Sequence, residues 1–217
     1  ESKLSGSYAY LFPKANALLY PHGAIVADVL RAFPRIKTAE LALSDPSAVT
    51  LTVTERMPFA LWCETNESAA DTKTGNCYFL DEGGFIFGKA PDFTGNVFLR
   101  YVGGVALAPP PPAGNFIGIQ MLTADEFKKL SAFIISLKDI LSSADEAPVT
   151  VAVSDEGDAH ITLQNTSYLL VSRGQDFAAV RENLRSVLGS EEFKRVSGDQ
   201  LDYIDLRFGD KVYYKLK

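Results

Sequence analysis

Val49-Thr-Leu-Thr-Val-Thr54 alternates apolar and hydroxyl side chains without a break. A strand repeats every two residues, so Val49, Leu51 and Val53 share one face and Thr50, Thr52 and Thr54 the other. A helix, with its 3.6-residue period, would scatter the same apolar groups around its circumference. Short segments of this kind recur between turn residues along much of the chain. Ile36–Leu43 precedes the first across the turn Ser44-Asp-Pro-Ser47, making a hairpin. Phe79–Leu80 and Phe85–Phe87 flank Glu82-Gly-Gly84. Val149–Val153 and Ala159–Leu163 flank Ser154–Asp158, and Tyr168–Val171 follows.

The chain closes on YIDLRFGDKVYYKLK, a further hairpin around Gly209. Turn chemistry favours a two-residue loop, which would set Phe208 opposite Lys211 and Ile204 opposite Lys215. A three-residue loop, Gly209–Lys211, sets Phe208 against Val212, Leu206 against Tyr214, Ile204 against Leu216, and Asp205 across from Lys215. Burial favours the second register, because a one-residue slip exchanges the two faces. Tyr203, Arg207 and Tyr213 then point away from the core, and the last strand keeps an unpaired edge carrying Lys211, Lys215 and Lys217.

Three helices are expected between these strands. Ile25, Val26, Val29, Leu30 and Phe33 are helically spaced over Pro21–Phe33, and Pro34 ends the run. Thr123-Ala-Asp-Glu126 is a capping box, followed by Phe127, Leu130, Ile134, Leu137 and Leu141 on one face. Phe177, Val180, Leu184 and Leu188 line a helix over about Gln175–Leu188, with Gly189 as its stop. The class is α+β: antiparallel hairpins with packing helices, without the strand–helix–strand rhythm of a nucleotide-binding sheet. Tyr101–Ala124 lacks charge over a membrane-spanning length. Gly103–Gly104, Pro109–Pro112 and Gly114 bar a continuous helix there, so it reads as a loop with extended flanks.

Cys63 and Cys77 are the two cysteines. The polar stretch Glu64–Asn76 separates them, Trp62 precedes the first, and Tyr78-Phe-Leu80 follows the second. Two strands joined by a polar tip, with a cysteine at each inner end, place a disulfide across the base of the loop. Closing a loop of about 15 residues contributes on the order of 3 kcal/mol in the chain-entropy model. Such a bond belongs to an oxidising compartment.

The functional signals point away from catalysis. The 217 residues carry a net charge of −6, and no basic run exceeds Lys128–Lys129, which excludes a nucleic-acid surface. His22 and His160 have no metal-spaced partner. The acidic turn Asp155-Glu-Gly-Asp158 reads as a solvated hairpin tip, as does Asp81–Glu82. Nucleotide-binding glycine motifs and nucleophile elbows are missing from the sequence. Asn66-Glu-Ser68 and Asn165-Thr-Ser167 fit a glycosylation pattern too common to weigh, and the four prolines stiffen a loop. The expectation is a binding protein without catalytic residues, metal or cofactor.

Five segments, in order, resemble the FtsQ/DivIB family of bacterial cell-division proteins. They are Phe33-Pro-Arg-Ile36, Leu51–Trp62 with Glu55-Arg-Met-Pro58 inside it, Phe79–Phe87, Leu170-Val-Ser-Arg-Gly174, and Tyr203–Phe208. The resemblance implies a membrane anchor upstream, then a POTRA domain and a larger β domain outside the cytoplasmic membrane. Residues 1–57 would be POTRA-like and residues 58–217 the β domain. The POTRA unit's first strand either precedes this sequence or is supplied by Ser7–Leu11. The long tip between the cysteines departs from the family's short turn. Family members are non-enzymatic scaffolds that bind bitopic FtsB/FtsL (DivIC) proteins at the C-terminal edge and an FtsK-like protein at the POTRA domain. Carried onto this chain, the partner-binding positions are Arg173, Arg207, Phe208, Val212, Tyr213 and Tyr214. The alternative is a POTRA-containing, chaperone-like module of outer-membrane assembly or secretion.

Overall fold

The computed structural model describes residues 7–8, 12–13, 20–45, 48–64, 76–104, 115–141, 146–195 and 201–217. The chain divides into two compact units, residues 1–57 and 58–217. The tip between the cysteines, the Asn66 sequence pattern and the four prolines lie outside the described residues.

In the first unit, β1 (Ser7–Tyr8) and β2 (Phe12–Pro13) pair with each other antiparallel. They form a sheet separate from the main hairpin, and residues 9–11 of the expected first strand lie outside the described residues. Helix α1 (His22–Ala32) stops at Phe33, immediately before Pro34, whose ring cannot follow a helical residue without a clash. It packs along β3 (Ile36–Asp45), which pairs antiparallel with β4 (Ala48–Glu55). The register sets Ala39 against Val53, Leu41 against Leu51 and Leu43 against Val49, so the alternation does produce one apolar face. Ala39 is buried there, while Val49, Leu51 and Val53 remain about two-fifths exposed, at 40%, 43% and 44%.

The second unit is built on one nine-stranded sheet. Its strands are β5 (Ala60–Cys63), β6 (Cys77–Leu80), β7 (Ile86–Lys89), β8 (Arg100–Gly103), β9 (Pro148–Val153), β10 (Asp158–Leu163), β11 (Tyr168–Ser172), β12 (Leu201–Phe208) and β13 (Lys211–Leu216). The spatial order is β13-β12-β11-β10-β9-β8-β5-β6-β7. The α+β class holds, but the sheet is mixed and not wholly antiparallel. Strands β5 and β8, β8 and β9, and β11 and β12 pair parallel. Each parallel pairing needs a crossover; β6 and β7 lie within that from β5 to β8, and helices supply the other two. Helix α2 (Ala124–Ser136) lies between β8 and β9, while α3 (Phe177–Gly189) and α4 (Glu191–Lys194) lie between β11 and β12. The strand–helix–strand rhythm judged missing from the sequence therefore occurs twice.

Strand β8 overlaps the start of Tyr101–Ala124, which had read as a loop with extended flanks, and that flank is a strand of the main sheet. It sits inside the sheet, with Tyr101 fully buried and its hydroxyl 2.9 Å from the Ser131 hydroxyl. Gly103 ends the strand at φ +73°, and a Cβ there would run into the Val153 carbonyl. The glycine that disguised the strand is thus what lets it approach β9.

Helices cover one face of the sheet. Phe127, Leu130, Phe133 and Ile134 of α2, with Val180 and Leu184 of α3, share a core with Val151, Ile161, Leu169, Val171, Ile204 and Leu206. Thr123 and Glu126 form the expected capping box; α3 runs through Gly189 and is capped by Ser190 instead. On the opposite face, Leu61, Cys63 and Ala90 make a second small core with Phe79, Phe93 and Phe98. Strands β10 and β11 alternate buried and half-buried residues, which marks their second face as partly open.

Candidate docking edge

The two ends of the sheet are finished differently. At β7, the segment 118–121 runs alongside and takes up backbone groups: Ile86 donates to the Ile119 carbonyl at 2.8 Å, Gly118 to Ile86 at 2.8 Å, and Met121 to Gly84 at 2.9 Å. At the other end, β13 pairs with β12 alone. Among the described residues, no backbone–backbone bond reaches its outer side.

The closing hairpin corrects the expected register. Its loop is the two-residue Gly209–Asp210, with Phe208 opposite Lys211 and Gly209 at φ +67°, the positive φ that such a turn asks of its first position. A bulge then places Leu206 and Arg207 against Val212 alone, so Asp205 faces Tyr213, Ile204 faces Tyr214 and Tyr203 faces Lys215. The extra β12 residue reconciles the favoured turn with the buried face, an option absent from a choice between two regular ladders. Lys215 bonds Asp202 at 3.0 Å, where Asp205 had been expected.

Helix-side groups hold the hairpin. Gln175 Nε2 donates to the Leu206 carbonyl at 2.9 Å, inside the bulge, and Asn183 Nδ2 donates to the Gly209 carbonyl at 2.8 Å. Val212 and Tyr214 turn toward the core, where Tyr214 meets the Phe193 ring at 5.5 Å and its hydroxyl donates to Glu192 at 3.4 Å. Tyr213 is on the open face, 51% exposed, with its ring perpendicular to that of Phe208, itself 54% exposed, at 5.2 Å.

Arg207 is paired with two carboxylates. Its guanidinium donates to both carboxylate oxygens of Asp205, at 2.9 and 2.6 Å, and to Asp158 at 2.6 Å. Asp158 is therefore the first residue of β10 and an ion-pair partner, not a solvated tip. Burial pushes the Asp205 carboxyl up, but the Arg207 bonds outweigh it and hold the group below the usual carboxylate range. The same two carboxylates raise Arg207. Arg173 stands apart, at the end of β11. Its side chain is mostly buried, 3.7 Å from Glu126 at the start of α2 and 3.4 Å from the Ser154 carbonyl. Of the positions expected to bind a partner, the fold brings Arg207, Phe208 and Tyr213 together. It turns Val212 and Tyr214 to the helix side and leaves Arg173 two strands inward.

Beside this edge, His160 of β10, Tyr168 of β11 and Tyr203 of β12 form a ladder across the open face, with centroids 4.1 and 5.3 Å apart. Burial lowers the His160 pKa, favouring the neutral ring. Among the described residues no three His, Cys, Asp or Glu side chains gather as metal ligands, and no helix is long and apolar enough to cross a membrane. Cys63 and Cys77 are cross-strand neighbours on β5 and β6 and are joined by a disulfide. Comparison with family models and with curated proteins found no match to the chain.

Proposed function

We propose that this protein is an extracytoplasmic scaffold of the FtsQ/DivIB kind, non-enzymatic, which captures a partner strand on the free edge of β13. The observation that carries this reading is the asymmetry of the sheet, which is covered at the start of β7 and, among the described residues, open at β13. A strand with unpaired backbone groups is a template for another strand, and edge addition obtains its affinity from main-chain bonds. The exposed Phe208–Tyr213 pair adds an aromatic anchor beside that edge. The disulfide agrees with a place outside the reducing cytoplasm. The partners proposed are FtsB/FtsL (DivIC)-like bitopic proteins at β13 and an FtsK-like protein at residues 1–57, with the scaffold anchored in the cytoplasmic membrane by a segment upstream.

The test is capture of the FtsB–FtsL pair encoded in the same genome, by the full chain and by a chain ending at Asp210. Loss of capture by the truncated chain, with its circular dichroism retained, is the expected result. Hydrogen exchange covers the case in which truncation unfolds the protein, since strand addition protects alternate amides of residues 211–216 in the intact chain. Undiminished capture by a folded truncation, or unchanged exchange along β13 in the complex, rejects the reading.

A further inference from the structure

The open-face side of β13 reads Lys211, Tyr213, Lys215, with Phe208 opposite Lys211 and in ring contact with Tyr213. Both lysines are exposed, so the free edge presents an apolar anchor with a cation on either side. Residues four apart on a strand are about 13 Å apart and point the same way. Arg207 already pairs with the Asp158 and Asp205 carboxylates, two anions against its single positive charge. Lys215 uses one of its three donors on Asp202.

From these positions we infer the chemistry of the occupant. It is a partner strand with acidic side chains at positions i and i+4 and an apolar side chain at i+2, all on the open face. This rests on the strand-addition reading above. The pattern is the same read in either direction, so it holds for parallel and antiparallel addition. Positions i+1 and i+3 of the occupant fall beside Val212 and Tyr214, which calls for apolar residues there. The lysines also choose against a second copy of this chain. Antiparallel pairing of two β13 strands centred on Tyr213 sets Lys211 against the other copy's Lys215 at both ends, a like-charge opposition.

Two synthetic nine-residue strands test this against the full chain by fluorescence anisotropy at low salt. They share one apolar alternation and differ only in carrying Glu or Lys at the i and i+4 positions. The Glu peptide is expected to bind about tenfold more tightly, with the ratio shrinking toward one at roughly 1 M salt. The double variant Lys211→Gln/Lys215→Gln, which leaves Asp202 facing no new anion, should lose the preference. Equal binding of the two peptides, binding of neither, or a preference that survives in the variant overturns the proposal. These outcomes are separable from failure of the edge itself, which the truncation experiment judges. A second readout needs no partner. Lys211→Glu makes antiparallel self-pairing complementary at both ends and should produce a dimer in sedimentation, whereas a variant still monomeric at about 1 mM overturns the role given to the lysines.

Discussion

Arg207 joins β10 to β12 across β11, and its worth is set by what it leaves behind when removed. Asp205 is only 6% exposed, and without the guanidinium its carboxylate would be buried with no cation. Arg207→Ala is therefore expected to cost about 2–3 kcal/mol in urea denaturation. Asp158→Asn should cost less, because Asp158 is one-third exposed. Arg207→Lys should rescue little, since one ammonium cannot span both carboxylates. An Arg207→Ala loss within about 0.5 kcal/mol of zero would show that the bulge holds without this clamp. The pH dependence follows from the depressed Asp205 value. Its contribution is complete above the unfolded carboxyl pKa of about 3.9 and is lost as pH falls through the folded value. Sequence reasoning singled out Arg207, Phe208 and Tyr213 but missed Asp158 as a partner of Arg207, because an ion pair across 49 residues has no local signal, and it set Asp205 against Lys215 instead of Arg207.

At the scale of elements, the β5–β6 disulfide and the β12 bulge differ in how visible they were. The cysteines were legible because each sits beside an apolar strand end with a polar stretch between. Their bond closes a sequence separation of 14, so Cys63→Ser/Cys77→Ser should lower stability by about 3 kcal/mol. The double variant should also abolish any effect of reductant on thermal melting; a variant as stable as the oxidised parent would show that the ladder alone closes that loop. The bulge was not legible. A turn preference and a burial preference conflicted, and a regular ladder could satisfy only one of them. Inserting one residue satisfied both, with Gln175 taking up the Leu206 carbonyl inside the bulge. Strand β8 was hidden for a related reason: its four residues end in Gly103 with Gly104 next, and both glycines serve a close approach to Val153.

At the scale of the whole molecule, the larger unit carries both of the hydrophobic core clusters found among the described residues. Every residue of both core clusters in the larger unit comes from residue 60 or later. A fragment spanning 58–217 should therefore fold cooperatively, with a melting temperature within a few degrees of the corresponding transition in the full chain. Failure of that fragment to fold would mean that residues 1–57 complete its core. Parallel pairing was the whole-molecule property least visible beforehand. Alternation tells that a segment is a strand and which face is buried, but it is indifferent to the direction of the neighbour.

Sequence alone determined the local elements: the hairpins, the capped and proline-terminated helices and the cysteine pair. Each follows from periodicity or from residues a few positions apart, where the physics is short-ranged. Tertiary structure alone decided which strands lie side by side, that among the described residues one edge is covered and the other open, and that Arg207 is spent on two carboxylates. These outcomes depend on groups far apart in sequence competing for the same backbone bonds and the same charge, and only the assembled sheet settles that competition.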